Sequence, residues 1–151
     1  MEQKNLFKLL SSAFENNQLI PEKYGCAGEN INPPLLISNT PEGTKSLVLI
    51  VDDPDASAGD WVHWILWNIP ASVTKIEENS VPKGALQGIN DYEKNKYFGP
   101  CPPQGIHRYF FKLYALDNVL DLDTNTKKGD LENAMNRHII RQTSLVGLYS
   151  K

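Results

Sequence analysis

Apolar positions in this chain fall into short runs, rich in β-branched and aromatic residues, with glycine and proline between them. That is the pattern of an all-β sandwich rather than of βαβ units. Ser46–Asp52, Val62–Ile69 and Arg108–Leu116 predict the clearest strands, and Asn5–Ser11 and Leu145–Tyr149 weaker ones. Leu47, Leu49 and Val51 alternate with Val48 and Ile50, so the first strand is apolar on both faces and belongs inside the structure. One segment departs from the pattern. From Gly129 to Gln142, Asp130 suits a helix N-cap, and Leu131, Ala134, Met135, His138 and Ile139 follow at helical spacing. Val73 to Tyr97 is polar and reads as a long surface excursion of the kind that borders sites. The expectation is a mainly β protein, an antiparallel sandwich of two sheets with one or two short helices, in a single domain over residues 1–151.

Composition narrows the partners. A chain of 151 residues can bury a substantial core without disulfides. A net charge of −3, with Lys127-Lys128 the one basic doublet and acids around it, argues against a nucleic-acid surface. No stretch is long and apolar enough to predict a membrane span. Met1-Glu2-Gln3-Lys4-Asn5 leads into a brief apolar run that is unlike a secretory signal, so the expected location is cytoplasmic. The two cysteines, Cys26 and Cys101, are expected to be reduced in that compartment. Neither C-x-x-C nor any short-spaced cluster of thiols and imidazoles predicts a metal site, and no cofactor is expected.

Candidate chemistry sits at the loop ends of two strands. Period-two alternation puts Trp61, His63, Ile65 and Trp67 on one face, and His107, Tyr109, Phe111 and Leu113 on one face of the later strand. If the two faces meet at the rim, His63, His107 and Tyr109 converge, with carboxylates from Asp53 and Asp55. Gly99 and Gly105 let backbone amides approach a ligand closely. Imidazoles, a phenol and amides make a donor-rich cup suited to a phosphate group, which offers acceptor oxygens. Asp53 is read as the acceptor that fixes a histidine tautomer, and Asp55 as the cap of the turn that Pro54 begins. Trp64 and Trp67 read as core and His138 as structural. Trp61 reads as core or as pocket wall, and Arg108 as one half of a buried or interface ion pair.

Asp53-Pro54-Asp55-Ala56 with Trp61-Val62-His63-Trp64, and later Gly99-Pro100-Cys101-Pro102-Pro103-Gln104-Gly105-Ile106-His107-Arg108-Tyr109, resemble the two signature blocks of the phosphatidylethanolamine-binding protein family, in its bacterial and archaeal Raf-kinase-inhibitor-like branch. The likeness extends to Pro21–Asn30, Pro33-Pro34-Leu35, Asn39-Thr40-Pro41 and Thr44-Lys45-Ser46, and so to nearly the whole chain. It implies a β-sandwich and a small pocket for phosphate-type groups, including a phosphoethanolamine head group. The matching positions are Asp53, Asp55, Trp61, His63, Gly99, His107 and Tyr109. Ser57 stands where the block often has proline, and Gly25-Cys26-Ala27-Gly28 differs mildly from the usual Thr-Cys-Asp-Gly.

Three functions compete on these residues. The first is non-catalytic binding of a small phosphate-bearing ligand or a phosphorylated partner. The second is inhibition of a kinase or protease, which the family resemblance suggests. The third and weakest is a metal-dependent hydrolase built on His63, His107 and Asp53; no serine lies in a nucleophile-elbow pattern to support hydrolysis. The resemblance also leaves a homodimer open.

Overall fold

The computed structural model describes residues 6–150. A six-stranded sheet and a three-stranded sheet carry the fold. The strands are β1 (Lys8–Leu10), β2 (Gln18–Leu19), β3 (Leu35–Ser38), β4 (Ser46–Asp53), β5 (Trp61–Pro70), β6 (Lys75–Ile76), β7 (Leu86–Gln87), β8 (Ile106–Leu116) and β9 (Ile139–Ser150). The large sheet runs β2-β9-β8-β4-β5-β7 and the small one β1-β3-β6. All pairings are antiparallel except β2 with β9, which is parallel. The expected sandwich is therefore observed.

The two apolar faces of β4 explain its place between β5 and β8. Leu47, Leu49 and Val51 face the small sheet, packing with Leu9, Leu35, Ile37, Ile76 and Phe111. Val48 and Ile50 face the other way, against Ile65, Trp67, Leu120, Leu131 and Met135. Leu47, Leu49 and Ile50 expose no surface. Every residue of β4 is buried, and at about 25 cal/mol per Å² of apolar area removed from water this double burial favours its place inside the sheet.

Two expectations change at the C-terminal end. Helix α1 covers only Lys128–Met135, with Lys127 at its N-cap and Asp130 inside its first turn. A carboxylate there still favours the positive helix end, but it does not cap it. His138 and Ile139, read as helical, lie beyond it. Arg137 adopts a left-handed φ of 74°, and β9 then pairs with β8 along its whole length, from Ile139 opposite Leu116 to Ser150 opposite Ile106. The tertiary pairing outcompetes the helical spacing of that short stretch. Of the weak N-terminal strand, Asn5 lies outside the described residues and Lys8–Leu10 is extended.

The cysteine expectation is overturned. Cys26 and Cys101 form a disulfide, Cα to Cα 5.3 Å. The Cys26 amide also donates to the Pro100 carbonyl (3.0 Å), and the Gly99 amide to Asn30 Oδ1 (2.7 Å). The segment after Tyr24 is thus stitched to the loop before β8. Among the described residues no helix is long and apolar enough to cross a membrane.

Candidate functional site

The site forms where β4, β5 and β8 reach the same end of the large sheet. Alternation along β8 is regular, so His107 and Tyr109 lie on the face that carries Phe111 and Leu113, as the sequence predicts. Asp53 continues the Leu47–Leu49–Val51 face of β4, while Asp52 falls on the opposite one.

β5 is not regular, and the predicted face of Trp61, His63, Ile65 and Trp67 does not hold. Val51 pairs with Trp64 and Asp52 with Val62, so β5 has one residue more than β4 across this step. The extra residue is His63, and the irregularity is a β-bulge. Ile65 and Trp67 pack under α1, whereas the His63 ring lies 5.3 Å, edge-on, from the Tyr109 ring on the other side of the sheet. The bulge is what turns this histidine toward the pocket while the rest of the strand keeps its core contacts.

A cavity of about 190 Å³ results, lined by Asp53, Trp61, His63, Tyr92, His107 and Tyr109 and closed by Ala56–Ala58 and Cys101–Pro103. Asp53, 3% exposed, uses both carboxylate oxygens. Oδ1 accepts the Asp55 amide (2.7 Å) to shape the turn, and Oδ2 accepts from His107 Nδ1 (2.7 Å). His63 Nδ1 lies 2.5 Å from the Phe98 carbonyl. A carbonyl only accepts, so Nδ1 carries the proton. Burial holds the His63 pKa below its ordinary value, against the opposing pull of Phe98 and Asp53. Burial first, and then the Asp53 charge, raise the Tyr109 pKa well above the usual phenol range, and its hydroxyl approaches Asp53 and the Cys101 amide.

Two predicted residues stand outside the cavity lining. Asp55 grips Arg108 through Nε and Nη2, both at 2.8 Å, and accepts the Arg108 amide at 3.0 Å. Those bonds hold its pKa down to about 2. The Arg108 ion pair is therefore real but exposed, and Asp55 braces the pocket loop rather than meeting a ligand. Gly99 gives its amide to Asn30, and a Cβ there would collide with the Tyr24 carbonyl. Its role is close backbone packing.

Sequence reasoning missed Tyr92. Its ring stacks on Phe98 (3.8 Å between centroids) and meets Trp61 edge-on (5.5 Å). Buried Asn90 sets it there: Oδ1 accepts the amides of Tyr92 and Lys94, and Nδ2 donates to the carbonyls of His63 and Lys96. The Asp91 side chain accepts the Val62 amide, fixing the turn to β5. The signal available was one aromatic after an Asn-Asp pair in a polar stretch.

On the far face, Asp52 is fully buried and binds Lys128 (2.7 Å) and Lys112 (3.1 Å). Burial alone would lower the Lys128 pKa; the bond and charge of Asp52 overcome it and raise the value. Lys128 also lies 3.5 Å from Asp60, so α1 is tied to the loop that closes the cavity.

Residues 10–150 match the phosphatidylethanolamine-binding protein family. The chain belongs to that family. The UPF0098 protein of Methanothermobacter thermautotrophicus is 48% identical over 148 residues, covering 95% of this chain and 98% of that protein. A phosphatidylethanolamine-binding protein homologue from Chlamydia trachomatis superposes with a TM-score of 0.94 at 43% identity, covering 97% of this chain and 99% of that one. YbcL of Escherichia coli, described as a new member of the mammalian family, superposes at 0.90 with 32% identity, covering 96% of this chain and 98% of that one.

Proposed function

We propose that this family member binds phosphate-type anions in the Asp53–His107 cavity without turning them over, and that residues 1–151 act as one binding domain. The observation that carries the reading is His107, with Nδ1 held by Asp53 at 2.7 Å and its ring stacked along Tyr109 (6.4 Å between centroids) at the cavity wall. Beside it the cavity is lined by Trp61 and Tyr92, whose indole and hydroxyl can donate to the acceptor oxygens of a phosphate group. Phosphoethanolamine-like head groups and phosphorylated residues on a partner protein present the same chemistry. A role in kinase or protease inhibition would operate through this docking.

The metal-dependent hydrolase reading lacks support: among the described residues no group of three His, Cys, Asp or Glu side chains is placed to hold a metal ion. The disulfide joins two exposed cysteines, and such a bridge persists in an oxidising compartment or in the cytosol of a hyperthermophile. A cytoplasmic location therefore requires the second setting.

Titration calorimetry of phosphoethanolamine tests the binding reading. With few donors acting on a small ligand, the affinity belongs in the micromolar-to-millimolar range, roughly −4 to −8 kcal/mol. His107→Ala should remove most of the binding and also lower the melting temperature, because it leaves the buried Asp53 carboxylate without that partner. Equal affinity in the two proteins would exclude His107 from the site.

A further inference from the structure

A count of the hydrogens that face the cavity deepens the anion-binding reading, on which it rests. His63 and His107 both carry their proton on Nδ1 when neutral, because Phe98 O and Asp53 Oδ2 can only accept. Each ring then turns a lone pair, not an N–H, toward the cavity. The Tyr109 hydroxyl leans toward Asp53 and the Cys101 amide. The Trp61 ring meets the Tyr92 ring edge-on (5.5 Å), and Tyr92 lines the cavity, where its hydroxyl can donate to a ligand.

The two histidines differ in their partners. The His107 side chain is 14% exposed and bonded to the Asp53 carboxylate. His63 is 2% exposed and bonded to a neutral carbonyl, so it stays neutral. The charged groups around the two rings are Asp53, the Asp55–Arg108 pair and, more distantly, Asp52 and Asp91. Among the described residues nothing bonds His63 Nε2. A bound oxyanion with no hydrogen of its own would set an oxygen against that lone pair. The Asp53 carboxylate, in the same cavity wall, adds repulsion that grows with the ligand's charge.

We propose that the pocket selects a singly protonated phosphoryl group, with His63 Nε2 accepting its P–O–H and the Tyr92 hydroxyl donating to another of its oxygens. The ligand class is thus a phosphate monoester, or inorganic phosphate, in its monoanionic form. Diesters and sulfates carry no such hydrogen. His63 and Tyr92 determine specificity, and neither needs to perform chemistry.

Methyl phosphate and methyl sulfate make the test. Slightly below pH 6, under the second pKa of about 6 for a phosphate monoester, both are monoanions of similar shape and only the phosphate has an O–H. Calorimetry on the wild-type protein should give on the order of tenfold or more tighter binding of methyl phosphate, since methyl sulfate leaves a buried acceptor unpaired. Dimethyl phosphate should resemble methyl sulfate. Tyr92→Phe should weaken methyl phosphate and methyl sulfate by a similar factor, leaving their ratio intact. Equal binding of the two ligands by the wild type would overturn the proposal while keeping the anion site. Failure of all the ligands to bind would overturn the anion site itself. Because the decisive comparison changes the ligand, it does not depend on any variant folding.

Discussion

Replacing Cys26 and Cys101 together with serine separates the two roles of the disulfide. The bridge spans a sequence separation of 75 residues. In the chain-entropy description a loop of that length restricts the unfolded chain by about 4.5 kcal/mol at 25 °C, a little above the usual range of about 2–4 kcal/mol. With a urea slope of about 2 kcal/mol/M, the unfolding midpoint should fall by roughly 2 M. The native loop has other ties. The Gly99 amide still reaches Asn30, and the Cys26 amide still reaches Pro100. The variant should therefore fold, and its affinity for inorganic phosphate should change by no more than about threefold, equivalent to about 0.65 kcal/mol. Urea unfolding of the oxidised wild type and the variant, each followed by phosphate titration, reads both quantities. Coincident midpoints would refute the entropic argument. A folded variant with no phosphate affinity would show that the bridge, not the amides, holds the pocket wall.

Acid should destabilise the protein in two stages. The buried His63 has its pKa lowered from 6.5, so the unfolded chain takes up the proton first and stability falls as pH drops below about 6.5; urea midpoints from pH 8 to 5 that do not decline would contradict this. The Asp55 pKa of about 2 against an ordinary 3.8 means that the Arg108 pair's small, solvent-screened stabilisation is lost as pH falls from about 4 to 2; Arg108→Met should flatten that limb. Gly147→Ala, on β9, would press a Cβ into Ile20 and Phe14 beneath it, so it should cost about 1–3 kcal/mol in urea unfolding, and an unchanged midpoint would show that this contact gives way freely.

What the sequence made legible follows the regularity of each element. β4 and β8 alternate without interruption to the rim, so the face shared by His107 and Tyr109 could be read from spacing alone. The face of His63 could not, because the bulge is decided by how β5 pairs with β4, a relation between segments rather than a property of either. Tyr92 was hidden for a similar reason: its position depends on Asn90 bonding four backbone groups, and a polar stretch does not announce such a turn. The pairing of the cysteines is not legible in their spacing, because their juxtaposition depends on Gly99 fitting against Tyr24. Asp52 and Asp53 are neighbours on β4, and adjacent positions on a strand point to opposite sides, so only one of them reaches the pocket.

The bulge at His63 also works as a phase slip. Before it, β5 keeps step with the pocket rim; after it, the same strand keeps step with the core beneath α1. Losing one residue at this point would remove the histidine and leave Trp61 and Val62 opposite Asp53 and Asp52 as before, because the flanking pairs already alternate without it. The sheet therefore does not need the extra residue; only the pocket does. A related chain one residue shorter here would keep the strand pairing and lose the histidine from the rim.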